Sequence, residues 1–135
     1  MYNGNGYAEF SAFRTYDDVN IGWLVAPAFD LTTASTAYVS FKLAQHHVSD
    51  EINNPLEVFV SSDFDGSNVT AATWTKLNVA IPGQSASWYA FQDSGLIDVS
   101  AYSGNLYLAF KYTGSGNNTD LDGGYFVDDV LFLKQ

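Results

Sequence analysis

The chain contains no cysteine, which excludes a disulfide framework and any thiolate metal site. Basic residues are also scarce: five Lys and Arg stand against fifteen Asp and Glu, for a formal net charge of -10. Arg14, Lys42, Lys76, Lys111 and Lys134 are scattered along the chain and form no cluster. Such a chain repels a phosphate backbone and an anionic lipid surface, so nucleic acid is not an expected partner. No run approaches the roughly 18 apolar residues of a spanning helix, so membrane insertion is not expected either. No stretch carries helical periodicity, and only Asp98–Tyr102 suggests a single turn.

What is abundant is aromatic: 10 Phe, 9 Tyr and 3 Trp, with 11 Gly and many Ser, Thr, Asn and Asp. Aromatic and β-branched side chains suit pleated, half-buried surfaces, and the small polar residues suit turns. The composition therefore reads as all-β. A chain of 135 residues fits one domain, 1–135, and that length buries roughly two-thirds of its unfolded surface. The opening residues 1–6 are polar and lack a signal peptide's apolar segment. The expectation is a domain excised from a larger secreted protein and acting as a monomer beside other domains of that parent.

Short apolar runs recur at intervals of a dozen or so residues, separated by turn clusters, which is the mark of a sandwich or barrel. The runs predict strands at Tyr7–Phe13, Gly22–Val25, Ala37–Gln45, Leu56–Ser61, Thr73–Val79, Trp88–Gln92, Leu106–Tyr112 and Tyr125–Leu133. Alternation assigns their faces. Val39, Phe41 and Leu43 oppose Tyr38, Ser40 and Lys42; Leu56, Val58 and Val60 oppose Glu57, Phe59 and Ser61; Leu106, Leu108 and Phe110 oppose Tyr107, Ala109 and Lys111. Two antiparallel sheets packed through the greasy faces make a β-sandwich.

Four segments in order carry a resemblance. They are Gly22-Trp23-Leu24-Val25-Ala26-Pro27-Ala28-Phe29-Asp30-Leu31; Val58 through Gly66 with Ala72-Thr73-Trp74-Thr75-Lys76-Leu77; Ser87-Trp88 through Ile97-Asp98-Val99-Ser100-Ala101-Tyr102 to Leu108-Ala109-Phe110-Lys111-Tyr112; and Tyr125-Phe126-Val127-Asp128-Asp129-Val130. Together they resemble the choice-of-anchor J and cleaved-adhesin-like jelly rolls, accessory domains of secreted and surface proteins of Bacteroidota. The resemblance implies a jelly roll used for adhesion or glycan binding. It also implies a structural calcium held by a late-strand Asp and oxygens near the N-terminus. That carries over to Asp128, with Asp17 or Asp18 beside it.

Candidate ligand residues come from rings and polar groups. Trp23 and Trp74 lie inside the resembling segments and read as core. Trp88 follows the polar stretch Pro82–Ser87, which would expose it together with Tyr89 and Phe91. If their strands are neighbours, Tyr38, Lys42, Glu57, Phe59, Tyr107 and Lys111 share one solvent face. That mixture of flat rings and polar groups suits a polyhydroxylated ligand. His46 and His47, at a strand end, point to opposite faces by alternation, so both cannot easily hold one ion; a loop histidine touching ligand is the better reading.

Catalysis is not expected. A glycosidase needs two carboxylates flanking the scissile bond. Here Asp50 and Glu51 are adjacent in a loop, while Glu9 and Glu57 stand alone. No Gly-x-Ser-x-Gly element, phosphate loop or cysteine nucleophile occurs. The expectation is a carbohydrate-binding module that anchors a secreted or cell-surface protein to a polysaccharide, with a laminarin-type β-glucan as the suggested ligand. The alternative is an adhesin or spacer domain whose partner is a protein.

Overall fold

A computed structural model describes residues 7–135; the polar opening residues 1–6 lie outside them. The described residues form ten strands: β1 (Ala8–Ser11), β2 (Asn20–Val25), β3 (Phe29–Asp30), β4 (Ala37–His46), β5 (Leu56–Ser61), β6 (Thr75–Lys76), β7 (Gln92–Asp93), β8 (Ile97–Asp98), β9 (Asn105–Gly114) and β10 (Gly124–Lys134). They build two antiparallel sheets of five strands. Sheet A runs β1-β10-β4-β7, with β8 also on β4; sheet B runs β2-β9-β5-β6, with β3 also on β9. The chain winds back and forth between the sheets, as in a jelly-roll sandwich.

The alternation in the sequence explains the interior. Val39, Phe41 and Leu43 of β4 and Tyr125 and Val127 of β10 meet Leu56, Val58 and Val60 of β5 and Leu106, Leu108 and Phe110 of β9. Phe41 and Phe110 meet edge to face, with centroids 5.1 Å apart, a preferred aromatic geometry. Truncating one such buried ring costs about 3–5 kcal/mol.

Two buried polar side chains tie loops to this core. Asn54 donates from Nδ2 to the Thr113 carbonyl at 2.8 Å, and its backbone carbonyl accepts from the Tyr125 hydroxyl at 2.7 Å. Gln45 donates to the Ala86 carbonyl at 2.6 Å and accepts from the Val48 amide at 3.1 Å. Burial pushes the ionisation of Tyr112 and Tyr125 upward, since the phenolate would lose its water.

Several expected strands are shorter than their apolar runs. Of Thr73–Val79 only Thr75–Lys76 pairs, and of Trp88–Gln92 only Gln92 enters a strand. Both segments form the edge strand of their sheet, and each makes only two registered pairs. Asp98–Tyr102 does hold a turn, closed by the Tyr102 amide on the Val99 carbonyl at 3.2 Å.

Candidate ligand-binding site

The expected solvent face of six residues is divided between the two sheets. β5 and β9 are neighbours, with Glu57 opposite Lys111 and Ser61 opposite Tyr107, so Glu57, Phe59, Tyr107 and Lys111 do share the outer face of sheet B. β4 lies in sheet A. Tyr38 and Lys42 therefore face solvent on the other side of the sandwich. Strand adjacency is a long-range property that alternation does not encode.

At one end of sheet A, three strands and a loop converge. In register across β1, β10 and β4, Glu9 opposes Phe126, Phe126 opposes Ala44, and Gly124 opposes His46. A Cβ on Gly124 would collide with the His46 ring and the Phe10 carbonyl. Glycine at this position lets the imidazole lie close over β10 and reach across to β1. His46 Nε2 is 2.9 Å from the Glu9 carboxylate, which accepts, so the ring carries its proton there. His46 Nδ1 faces His47 Nδ1 at 2.8 Å.

The loop of residues 84–91 lies against this group. The Tyr89 amide donates to the Gln45 carbonyl at 2.9 Å, and the Gln45 side chain holds Ala86. Trp88 packs on His47 with centroids 4.0 Å apart, while Phe126 underlies Tyr7, His46, Tyr89 and Phe91. Trp88, Tyr89 and Phe91 remain 53%, 56% and 42% exposed. Three large rings so open to water, on one loop, form an apolar platform rather than a core. Beside them Glu9, Ser11, Phe13, His46, His47, Tyr89 and Asp122 line a pocket of about 220 Å³. His47 and Tyr89 both hold left-handed backbone, with φ 59° and 64°. Non-glycine residues rarely adopt it, and such strain gathers at ligand sites.

Of the residues expected to bind ligand, this cluster unites Trp88, Tyr89 and His46. It adds Glu9, His47 and Phe126, which sequence reasoning did not assign. Alternation in β1 puts Glu9 on the outer side, but nothing local shows that β1 lies two strands from His46.

The outer face of sheet B carries a second group of rings. Asp63 closes the loop 62–74 by accepting from the Ser61 hydroxyl and the Thr73 amide, bonds that hold its carboxyl below the usual range. The loop lays Phe64 and Trp74 over the sheet. Trp74 packs against Trp23 at 5.3 Å, Trp23 against Phe59 at 5.8 Å, and Phe64 edge-on to Tyr107 at 4.9 Å. Trp23 and Trp74 are thus not core residues. In β2 it is Leu24 that packs on the core, and Trp23 alternates outward. The rings are half-buried against one another, and a groove of about 560 Å³ runs past Trp23, Pro27, Phe64 and Tyr107. Lys111 Nζ lies 5.5 Å from the Trp23 ring centroid, within cation–π range. Glu57 pairs with Lys76 at 3.3 Å.

The expected calcium ligands do not come together. Asp128 faces outward in sheet A, opposite Lys42, and accepts from the Asp129 amide at 2.8 Å beside a bulge. Asp17 and Asp18 lie in the turn before β2, where they accept from Asn20 at 3.2 Å and Asn117 at 2.7 Å. That turn follows Ser11, which pairs with Gly124; Asp128 stands four positions farther along β10. Alternation supplies the reason: with Val127 in the core, Asp128 points to the solvent face and needs no buried counter-ion. Among the described residues no three His, Asp or Glu side chains form a metal-holding group. The remaining Asp-rich turns cap their own backbones. Asp65 accepts from the Ser67 and Asn68 amides, both at 2.8 Å, and Asp50 from Ile52 and Asn53.

No family model and no curated protein matches this chain.

Proposed function

We propose that this chain is a non-catalytic carbohydrate-binding module that holds a secreted or cell-surface protein on a polysaccharide. The observation that carries the reading is the exposed platform of Trp88, Tyr89 and Phe91 beside the polar Glu9–His46–His47 group. Flat rings pack on the C–H face of a pyranose, and the polar groups can orient its hydroxyls. The resemblance to choice-of-anchor J and cleaved-adhesin-like jelly rolls supports the same reading. Its non-catalytic character is supported by the carboxylates of Asp50, Asp63 and Asp65, which are engaged by residues of their own loops.

The carboxylates of Glu9 and Asp122 are the acidic groups lining the platform's pocket, and no Lys or Arg joins them there. Like charge disfavours uronic-acid polymers. A neutral glucan of the laminarin type is therefore the proposed ligand. Affinity electrophoresis through gels containing laminarin, mixed-linkage glucan, xylan, mannan, alginate or pectin tests the assignment. Retardation by a neutral glucan is the expected result. Free migration in every gel would overturn it in favour of an adhesin or spacer domain with a protein partner.

A further inference from the structure

Adjacent residues of a strand point to opposite faces, which would keep His46 and His47 from sharing one ion. The fold removes that obstacle. β4 ends at His46, and His47 turns into left-handed backbone with φ 59°. The two rings thereby come to the same side at 90° to each other, with their Nδ1 atoms 2.8 Å apart. With its Nε2 proton on the Glu9 carboxylate, a neutral His46 ring presents Nδ1 as a lone pair. Metal-ligating histidines are commonly oriented in this way, by a carboxylate on the far nitrogen.

We propose that His46 and His47 bind a divalent transition-metal ion through their Nδ1 atoms, with Glu9 as the positioning carboxylate. Imidazole nitrogens at about 2.0–2.1 Å from an ion, and at right angles around it, stand about 2.9 Å apart. At the tetrahedral angle they stand about 3.3 Å apart. The observed 2.8 Å is that of a ring-to-ring hydrogen bond, and an ion taking the place of its proton would meet the two nitrogens at a spacing suited to neighbouring corners of a square-planar or octahedral sphere, the geometry of copper(II) and nickel(II). On binding, His47 moves its ring proton from Nδ1 to Nε2, and no net proton is released. Binding replaces the ring-to-ring hydrogen bond, and the exposed His47 ring turns to bring its lone pair onto the ion that His46 holds. Water completes the sphere, and Asp122, lining the same pocket, adds negative charge. The ion site does not depend on the glycan reading, since ring nitrogens bind metal whether or not a sugar covers the rings.

The test is a titration of the whole chain with copper(II) chloride in a non-coordinating buffer, followed by calorimetry and tryptophan fluorescence. Trp88 packs on His47 at 4.0 Å, so bound copper quenches it. The expected result is one ion per chain with micromolar affinity, and a paramagnetic resonance spectrum showing nitrogen coupling. His47→Gln and His46→Gln should each weaken binding at least tenfold, with the fold checked by circular dichroism. Trp88→Phe should keep the calorimetric affinity and lose most of the quench. Absence of saturable binding, or equal affinity in His47→Gln and the unaltered chain, would overturn the site. Failure of the glycan reading alone would leave these results unchanged.

Discussion

The Tyr89 ring lies 10° from parallel to that of His46, with 5.4 Å between centroids. The stack joins a loop to the end of a strand across 43 residues of sequence. It holds because the Tyr89 amide is fixed on the Gln45 carbonyl while its backbone sits at φ 64°. A strained loop residue held by a strand neighbour is preorganised, and preorganisation lowers the ordering cost of binding.

Trp88→Ala should weaken polysaccharide binding at least about tenfold, the equivalent of about 1.4 kcal/mol. Because the ring is more than half exposed, stability should change by less than about 1 kcal/mol. Gel retardation and a thermal melt on the same preparation separate the two. A large drop in melting temperature would mean that the ring is structural.

Tyr89→Gly and Tyr89→Ala both remove the ring, so both should weaken binding. They should differ in stability. Alanine keeps a side chain in left-handed backbone, a cost of about 1 kcal/mol that glycine avoids. Glycine also loses more chain entropy on folding, which offsets part of that gain. Denaturant melts should rank Tyr89→Gly equal to or above Tyr89→Ala; the reverse order would show that φ at this position carries no strain.

Gln45→Leu keeps the volume of a fully buried side chain but leaves the Ala86 carbonyl and the Val48 amide without their partner. The expected cost is about 1–3 kcal/mol. Hydrogen exchange should accelerate at the amides of residues 84–91, and glycan affinity should fall although no ligand-facing atom has changed. Unaltered exchange in that loop would mean that the loop is held by something other than Gln45.

Stability should decline on both sides of neutrality, for different groups. Tyr125 and Tyr112 ionise above their ordinary value of 10.0, chiefly because burial penalises the phenolate. Their contribution is intact below about pH 10 and is lost as pH rises further. Asp30, Asp50, Asp63, Asp65 and Asp98 ionise below the ordinary 3.8, chiefly through hydrogen bonds from their own turns or neighbouring loop residues. Their contribution is present above about pH 4 and is lost as pH falls below it. Thermal melts from pH 2 to 11 check both limbs. Tyr125→Phe should flatten the alkaline one while losing the hydroxyl's bond to Asn54.

Alternation along β4, β5 and β9 was enough to separate core from surface, since side-chain direction within a strand is local and has period two. It told which way Phe41, Val58 and Phe110 point. It also contained the outward direction of Trp23, which its place in a framework segment concealed. The sequence by itself thus determined the all-β class, the inward residues and an exposed Trp88. The tertiary structure decided that β4 lies away from β5 and β9, which removes Tyr38 and Lys42 from the face of Glu57 and Tyr107. It also decided that Glu9, His46 and Tyr89 meet. Strand adjacency, the close approach permitted by Gly124 and the left-handed turn at His47 arise from contacts between distant segments, and period-two patterning carries no information about them.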